Sequence, residues 1–258
     1  MYEAIASVYD RWMTHMDYQA IHARLLELLG GCAENRTALD VCTGTGSVLV
    51  ELARSGASVT GLDRSAEMLE IATGKVESAG VGDGASLRQC DVVGDDEWPA
   101  GPYDLVLCVG DSVNYFDADG LRRFVDRSSR VLSDTGALYI DVNTAHKLCH
   151  VFGNSVHAEE FDGCAYIWRN RLADDNTSID FDITLFKQGS GSEACWTRRT
   201  EHHTQYVHDL ESILRLLHGA GLTDVSVTDD FAGDTVPTAD SWRWVIVARR
   251  PAEATSVA

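Results

Sequence analysis

Ala38-Leu39-Asp40-Val41-Cys42-Thr43-Gly44-Thr45-Gly46, followed by a helical pattern and then by Val59-Thr60-Gly61-Leu62-Asp63, is the stretch that decides the fold. An apolar run ending in an acid, a Gly-x-Gly turn and a second strand closing on an acid describe one nucleoside-binding βαβ unit. Gly44 and Gly46 let the backbone come close to a ligand at the helix N-terminus, and Asp63 can grip a ribose diol. A phosphate-binding Walker loop is excluded, since no Gly-Lys-Ser/Thr follows. A dinucleotide fingerprint is disfavoured because its third glycine would fall at Leu49.

Outward from this unit, residues 2–29 read as two short helices around Asp17-Tyr18, the second at about 18–29. Strands are expected at 38–42 and 58–63, with a helix at 46–55 between them. Ser65 caps the next helix, which turns Met68-Leu69 to its apolar face. A third strand runs to Cys90 and ends in Asp91, residues 95–102 form a loop, and a fourth strand starts at Tyr103. A helix at 118–132, a turn at Ser133-Asp134-Thr135-Gly136 and a strand at 137–142 continue a strict alternation, which demands a parallel sheet with helices on both faces.

The alternation then breaks. From about 157 to 207 the runs 165–168, 179–186 and 197–206 show period-two patterning with polar turns between them, the mark of antiparallel strands. A helix at 209–219 and strands at about 222–231 and 242–249 close the chain, with a frayed tail from Pro251. The expected fold is α/β: a Rossmann-like, seven-stranded, mostly parallel sheet with helices on both faces, plus an inserted antiparallel β lid. Three segments follow: cap helices and cofactor-binding core at 1–156, substrate lid at 157–207, and the last helix and strands at 208–258. Such a lid would stand over the C-terminal strand ends, where open α/β sheets bind ligands.

The 258 residues are 45% hydrophobic, enough for one large α/β domain with an embellishment. A formal charge of −19 argues against nucleic acid or an anionic membrane as partner and is compatible with a cationic small substrate such as an amine. The N-terminus lacks the basic region and apolar core of a signal peptide, and no apolar run is long enough to span a bilayer. Seven cysteines, odd in number and without a Cys-x-x-Cys pair, read as reduced and mainly structural, in a cytoplasmic protein.

The segment from Asp40 to Gly46 with Asp63 resembles motif I and the following acidic strand end of the class I S-adenosylmethionine-dependent methyltransferases. Cys42 stands where that motif has its first glycine; it is small enough for the turn to survive. Tyr9-Asp10-x-x-Met13 with Asp17-Tyr18, Gly110-Asp111-Ser112-Val113-Asn114-Tyr115, Asp141-Val142-Asn143-Thr144 and Arg199-Thr200-Glu201-His202-His203 narrow the likeness to small-molecule amine N-methyltransferases of the glycine, aminosugar and lincosamide type.

The resemblance implies S-adenosylmethionine as cofactor, S-adenosylhomocysteine as product, and a small-molecule amine, an antibiotic precursor, as acceptor; self-association into a homo-oligomer is compatible with it. It places the ribose on Asp63 and the adenine at Asp91 and Val92, flanked by Arg64 and Met68. Asp40 orders the glycine turn, Thr43 is one of the cofactor-binding residues, Gly44 and Gly46 approach the cofactor, and Gly110 lies beside its methionine portion. Tyr9 caps the cofactor, and Tyr9, Tyr18, Tyr115 and Phe116 are the expected aromatic wall that orients methyl and amine. Orientation and exclusion of water can supply about 7–11 kcal/mol in favourable intramolecular reactions, so no acid–base group is obligatory. His202, His203, Glu201 and Asp111 are possible helpers, and strand alternation allows at most one of the two histidines to face the pocket. Asp141 and Asn143 are similar to part of a metal-dependent O-methyltransferase ligand set, but a third ligand is missing, so no metal is expected. An O-methyltransferase and a non-catalytic cofactor-binding protein stay open as alternatives.

Overall fold

The computed structural model describes residues 5–14, 16–161, 163–189 and 195–251. The residues read as lacking a leader (1–4) and most of the tail (252–258) lie outside the described residues. Helices α1 (Ala6–Trp12) and α2 (Tyr18–Leu28) precede β1 (Thr37–Val41), α3 (Ser47–Arg54), β2 (Ser58–Asp63), α4 (Ala66–Ala79) and β3 (Ala85–Gln89). Then come β4 (Tyr103–Cys108), α5 (Ala118–Val131) and β5 (Leu132–Asn143). A second group, β6 (Val156–Phe161), β7 (Cys164–Leu172), β8 (Ser178–Gln188) and β9 (Trp196–Tyr206), leads to α6 (Leu210–Gly219), β10 (Asp224–Thr228) and β11 (Arg243–Arg249).

The main sheet has seven strands in the order β10-β11-β5-β4-β1-β2-β3, and β11 alone runs antiparallel to its neighbours. The expected mixed seven-stranded sheet is therefore what the chain forms. Strand alternation distributes β1 between two cores. Leu39 and Val41 pack with Phe124 of α5 and Ile213 of α6, while Ala38 faces Leu49 of α3 and Ile21 and Leu25 of α2. The chain travels from β1 out to β3 and returns to β4 on the other side of β1, so the strand order reverses between β1 and β4. Loops leaving two adjacent strand ends in opposite directions open a crevice there, the place where open α/β sheets bind ligands.

The antiparallel sheet β6-β7-β8-β9 meets the turn after β4 through the end of β9. Asn114, in the 3₁₀ turn Ser112–Tyr115 after β4, donates from Nδ2 to the Tyr206 carbonyl at 3.1 Å and to the Asn143 carbonyl at 3.1 Å. It thereby stitches the end of β9 to the core. The sheet's inner face packs Ile179, Phe181, Ile183 and Leu185 against Ile5 and Val8 of the N-terminal segment.

Three local expectations need correction. β6 was missed because Val156–Phe161 is exposed along nearly its whole length, which erases the period-two pattern. Ser133-Asp134-Thr135-Gly136 is not a turn before a strand. It is a bulge inside a strand that begins at Leu132, and the register shifts between the Tyr103–Leu132 and Leu105–Ala137 pairs. A π-helical turn, Lys147–Phe152, follows β5 where the sequence shows no signal. Among the described residues no helix is long and apolar enough to cross a membrane.

Gly46 caps α3 with φ +75°, and a Cβ there would lie 2.9 Å from the Ala72 Cβ of α4. Both the left-handed backbone and the close helix approach exclude a side chain. Gly46→Ala is expected to cost about 1–3 kcal/mol, read as a lowered urea midpoint at unchanged m-value; a midpoint equal to wild type would disprove this packing account.

Candidate active site

The cleft at the β1/β4 crossover has two joined compartments of about 740 Å³ and about 430 Å³, measured to the open mouth. Tyr9, Cys42, Gly44 and Ser112 line both. The larger compartment adds Asp63, Arg64, Met68, Asp91, Val92, Tyr115 and Phe116; the smaller adds Tyr18, Asp40, Thr43 and Gly110.

The turn after β1 is left-handed at Cys42 (φ +60°), Gly44 (φ +56°) and Gly46 (φ +75°). Gly44 turns open space towards the cleft, since a Cβ there would meet nothing within 4 Å. Gly46, expected to approach the cofactor, lines neither compartment; its reason is the α3–α4 contact. Cys42 keeps the turn, although a non-glycine residue in this conformation carries about 1–2 kcal/mol of strain.

Asp63 closes β2. It is buried: Oδ2 accepts the Gly44 amide at 2.9 Å and Oδ1 accepts the Ser65 amide at 2.9 Å. It braces the glycine turn and the start of α4 as well as lining the cleft, and burial pushes its carboxyl above the usual range. Asp40 is buried at the end of β1. Its Oδ2 accepts the Thr43 hydroxyl at 2.6 Å, while Oδ1 has no partner among the described residues. Burial raises this carboxyl to about 7, the Thr43 bond opposing the rise. Asp91 folds back on its own turn, Oδ1 accepting the Gly94 amide at 3.1 Å. Arg127 of α5 fixes that turn through the carbonyls of Val92 at 3.0 Å and Gly94 at 2.6 Å.

The turn after β4 is built in the same way. Gly110 (φ +76°) and Asp111 (φ +54°) are left-handed, and Asp141 of β5 accepts both amides, at 2.6 and 3.1 Å. Arg243 pairs with the same buried carboxylate. These bonds occupy Asp141 structurally, and among the described residues no group of three or more His, Cys, Asp or Glu side chains converges as a metal site would require.

Asp111 stands between the cleft-lining Gly110 and Ser112, although its own side chain lines neither compartment. Its Oδ2 accepts from Asn143 Nδ2 at 3.1 Å and from Gln205 Nε2 of β9, and Asn143 Oδ1 in turn accepts from Lys147 Nζ at 2.8 Å. Desolvation raises the Asp111 carboxyl against the pull of Lys147 and Arg243, and desolvation lowers the Lys147 ammonium. Tyr9 feels Asp111, Tyr18, Tyr115 and Asp63, but burial is the main reason its phenol stands well above 10.0.

On β9 the two histidines part as alternation requires. His202 is exposed and meets Asp182 at 2.5 Å; His203 is buried, contacts Glu201 at 2.9 Å and packs edge-on to Tyr115 at 5.9 Å. Phe116, expected at the acceptor, belongs to the main core. It packs on Phe124 at 5.4 Å and reaches only the compartment lined by Asp91 and Val92. Phe116 and Tyr115 both line the larger compartment, Phe116 from the side of the main core. Sequence reasoning missed Gln205, Lys147 and Arg243. Gln205 shares the inward face of β9 with Glu201 and His203 by period two, and Arg243 pairs with Asn143 across the β11–β5 register; both signals need the topology.

A methyltransferase domain family matches residues 38–136. YqeM of Bacillus subtilis (strain 168), a predicted methyltransferase, is 31% identical over 252 residues, spanning 97% of each chain. A S-adenosylmethionine-dependent methyltransferase from Clostridium acetobutylicum ATCC 824 superposes with a TM-score of 0.83 at 24% identity, over 96% of this chain and 98% of that one. The sugar N-methyltransferase KedS8 from Streptoalloteichus sp ATCC 53650 has a TM-score of 0.70 at 20% identity, covering 94% and 93%. The chain belongs to the class I S-adenosylmethionine-dependent methyltransferases. Its cofactor is S-adenosylmethionine.

The cleft fits that cofactor on its own evidence. A buried, unpartnered carboxylate oxygen at Asp40 is costly until a cation meets it, and the cofactor carries an ammonium and a sulfonium. This gives a pH signature. Asp40's folded pKa of about 7 lies above its unfolded value of about 3.9, so the unliganded fold binds a proton that the unfolded chain has released. Stability therefore falls as pH rises from about 4 to about 7, and Asp40→Asn should flatten that slope in urea titrations. Binding of S-adenosylhomocysteine near pH 7 should release protons, seen by calorimetry in buffers of different ionisation enthalpy. Equal proton release in Asp40→Asn would remove Asp40 from the cofactor site.

Proposed function

We propose that the protein transfers the methyl group to an amine nitrogen of a small molecule, a secondary-metabolite precursor of the amino-sugar kind, under the roof formed by the β6–β9 sheet. The observation that carries this reading is Asp111, a carboxylate held beside Tyr9 by Asn143 and Gln205 and raised by desolvation. An acid in that place favours an amine over a neutral hydroxyl and can take the proton that the nitrogen loses. That KedS8 is a sugar N-methyltransferase on this architecture supports the same acceptor class.

Bound S-adenosylmethionine supplies an electrophilic methyl on a sulfonium. The chain's part is placement. Tyr9 and Tyr115 wall the cleft, and their ring faces suit the cationic methylammonium that forms. The Tyr9 phenol, raised by burial, stays protonated at neutral pH and acts through its ring and its donor, not as a base. Asp111 accepts the proton, with Asn143 and Gln205 fixing its orientation.

The test is a screen of amines and phenols with S-adenosylmethionine, read as a methyl-sized mass increase; methylation of phenols alone would overturn the nitrogen assignment. With the acceptor in hand, Tyr9→Phe should keep activity within about tenfold, whereas Tyr9→Ala should lose about a hundredfold. Asp111→Asn should lower kcat by about a hundredfold and remove the acidic limb of the pH–rate profile. Equal damage from Phe and Ala at Tyr9 would transfer the proton role to the tyrosine. Excess chelator should leave turnover unchanged, and loss restored by magnesium would contradict the structural role given to Asp141.

A further inference from the structure

Lys75 lies on α4, lines neither compartment of the cleft, and is one of three lysines in the chain. Its ammonium reaches Asp10 Oδ2 at 2.7 Å, Thr45 Oγ1 at 2.9 Å and Ser47 Oγ at 2.9 Å. Three acceptors match the three N–H donors of an ammonium. Each acceptor leads to the cleft. Asp10 follows Tyr9 on α1 and also accepts the Thr45 hydroxyl at 2.6 Å; Thr45 sits between Gly44 and Gly46; Ser47 opens α3 and lines the smaller compartment together with Tyr18. One side chain thus joins the glycine turn and the start of α3 to the helix that carries Tyr9.

We propose that Lys75 is a positioning residue for the cofactor: it fastens α1 onto the glycine turn, so that Tyr9 stays over the bound ligand and slows its escape. α1 has seven residues, too few to hold a helix by its own hydrogen bonds, so tertiary contacts must place it. On the lid side the Ile5 amide donates to Glu201 at 3.3 Å, and Ile5 and Val8 are buried in the lid core. On the core side the fastening is Lys75 and Thr45. The ion pair is partly exposed, 28% at Lys75 and 43% at Asp10, so breaking it should loosen α1 without unfolding the domain.

The inference rests on the reading that Tyr9 covers the cofactor, and Tyr9→Ala tests that reading separately. S-adenosylhomocysteine is the probe, with Kd from calorimetry and the dissociation rate from stopped-flow fluorescence on the full chain. Lys75→Met should weaken binding about tenfold, nearly all of it as faster dissociation, and Lys75→Arg should restore it to within about threefold. In the Tyr9→Ala background Lys75→Met should add less than about threefold, because the positioned ring is already gone. If Lys75→Met fails to fold, Thr45→Val carries the same expectation, since it removes both the acceptor for Lys75 and the donor to Asp10. A dissociation rate within about twofold of wild type in the folded variant, or fully additive effects with Tyr9→Ala, overturns the proposal. Wild-type binding in Tyr9→Ala overturns the covering role itself; weakened binding there with wild-type binding in Lys75→Met overturns the fastening alone.

Discussion

Asp63, at the end of β2, accepts the Gly44 amide of the turn after β1, and Asp141, near the end of β5, accepts the Gly110 and Asp111 amides of the turn after β4. The two turns flank the strand-order reversal, and each holds left-handed residues that a chain of L-amino acids adopts at a cost. In each case a buried carboxylate from the outer neighbouring strand supplies the charge-assisted bonds that hold the strained backbone in place. The cleft exists because of this pair of braces. Without them the amides of both turns would need other partners, and the walls of the two compartments would not stay apart.

Bracing with carboxylates has an electrostatic consequence. Asp40, Asp63, Asp111 and Asp141 gather at the C-terminal ends of β1, β2, β4 and β5, and burial raises the first three above their ordinary range. Arg243 and Lys147 answer the acids on the β4–β5 side. On the β1 side Asp40 meets only the Thr43 hydroxyl, a neutral donor. A cationic ligand therefore finds its largest electrostatic gain beside β1, and a molecule with both a sulfonium and an ammonium is drawn there before any acceptor-specific contact is made.

The sheet and the cofactor end were legible because each depends on local chemistry. A glycine pair, an acid ending each of two strands and Ser65 as a helix cap are readable wherever they occur, and Met68 takes its amide bond from that cap. The acceptor end was legible only in fragments. Asp111, Asn143 and Gln205 are far apart in sequence and meet because β9 crosses over the β4–β5 ends, a juxtaposition that no spacing encodes. Burial was misjudged for the same reason. Asp63 reads as a strand-end acid until the neighbouring turn folds onto it, and Phe116, which lines the cleft, also packs on Phe124 of α5. β6 stayed hidden because its side chains are exposed on both faces, leaving no pattern to find.

Cys42 shows how far the turn can depart from its usual composition. The residue stands at φ +60° where related motifs have glycine, yet Asp63 still receives the Gly44 amide and the Thr43 amide still reaches the Leu62 carbonyl at 2.9 Å. The strain is distributed over a turn fixed at both ends by bonds to β2. The side chain packs against the core cluster that holds the buried Cys108 at the end of β4, whose own thiol is pushed up above all by burial. Cys42 therefore fills space between β1 and β4 that glycine would leave open, and it does so at the floor shared by both compartments. A side chain there adds volume to the wall common to both compartments without adding a charge.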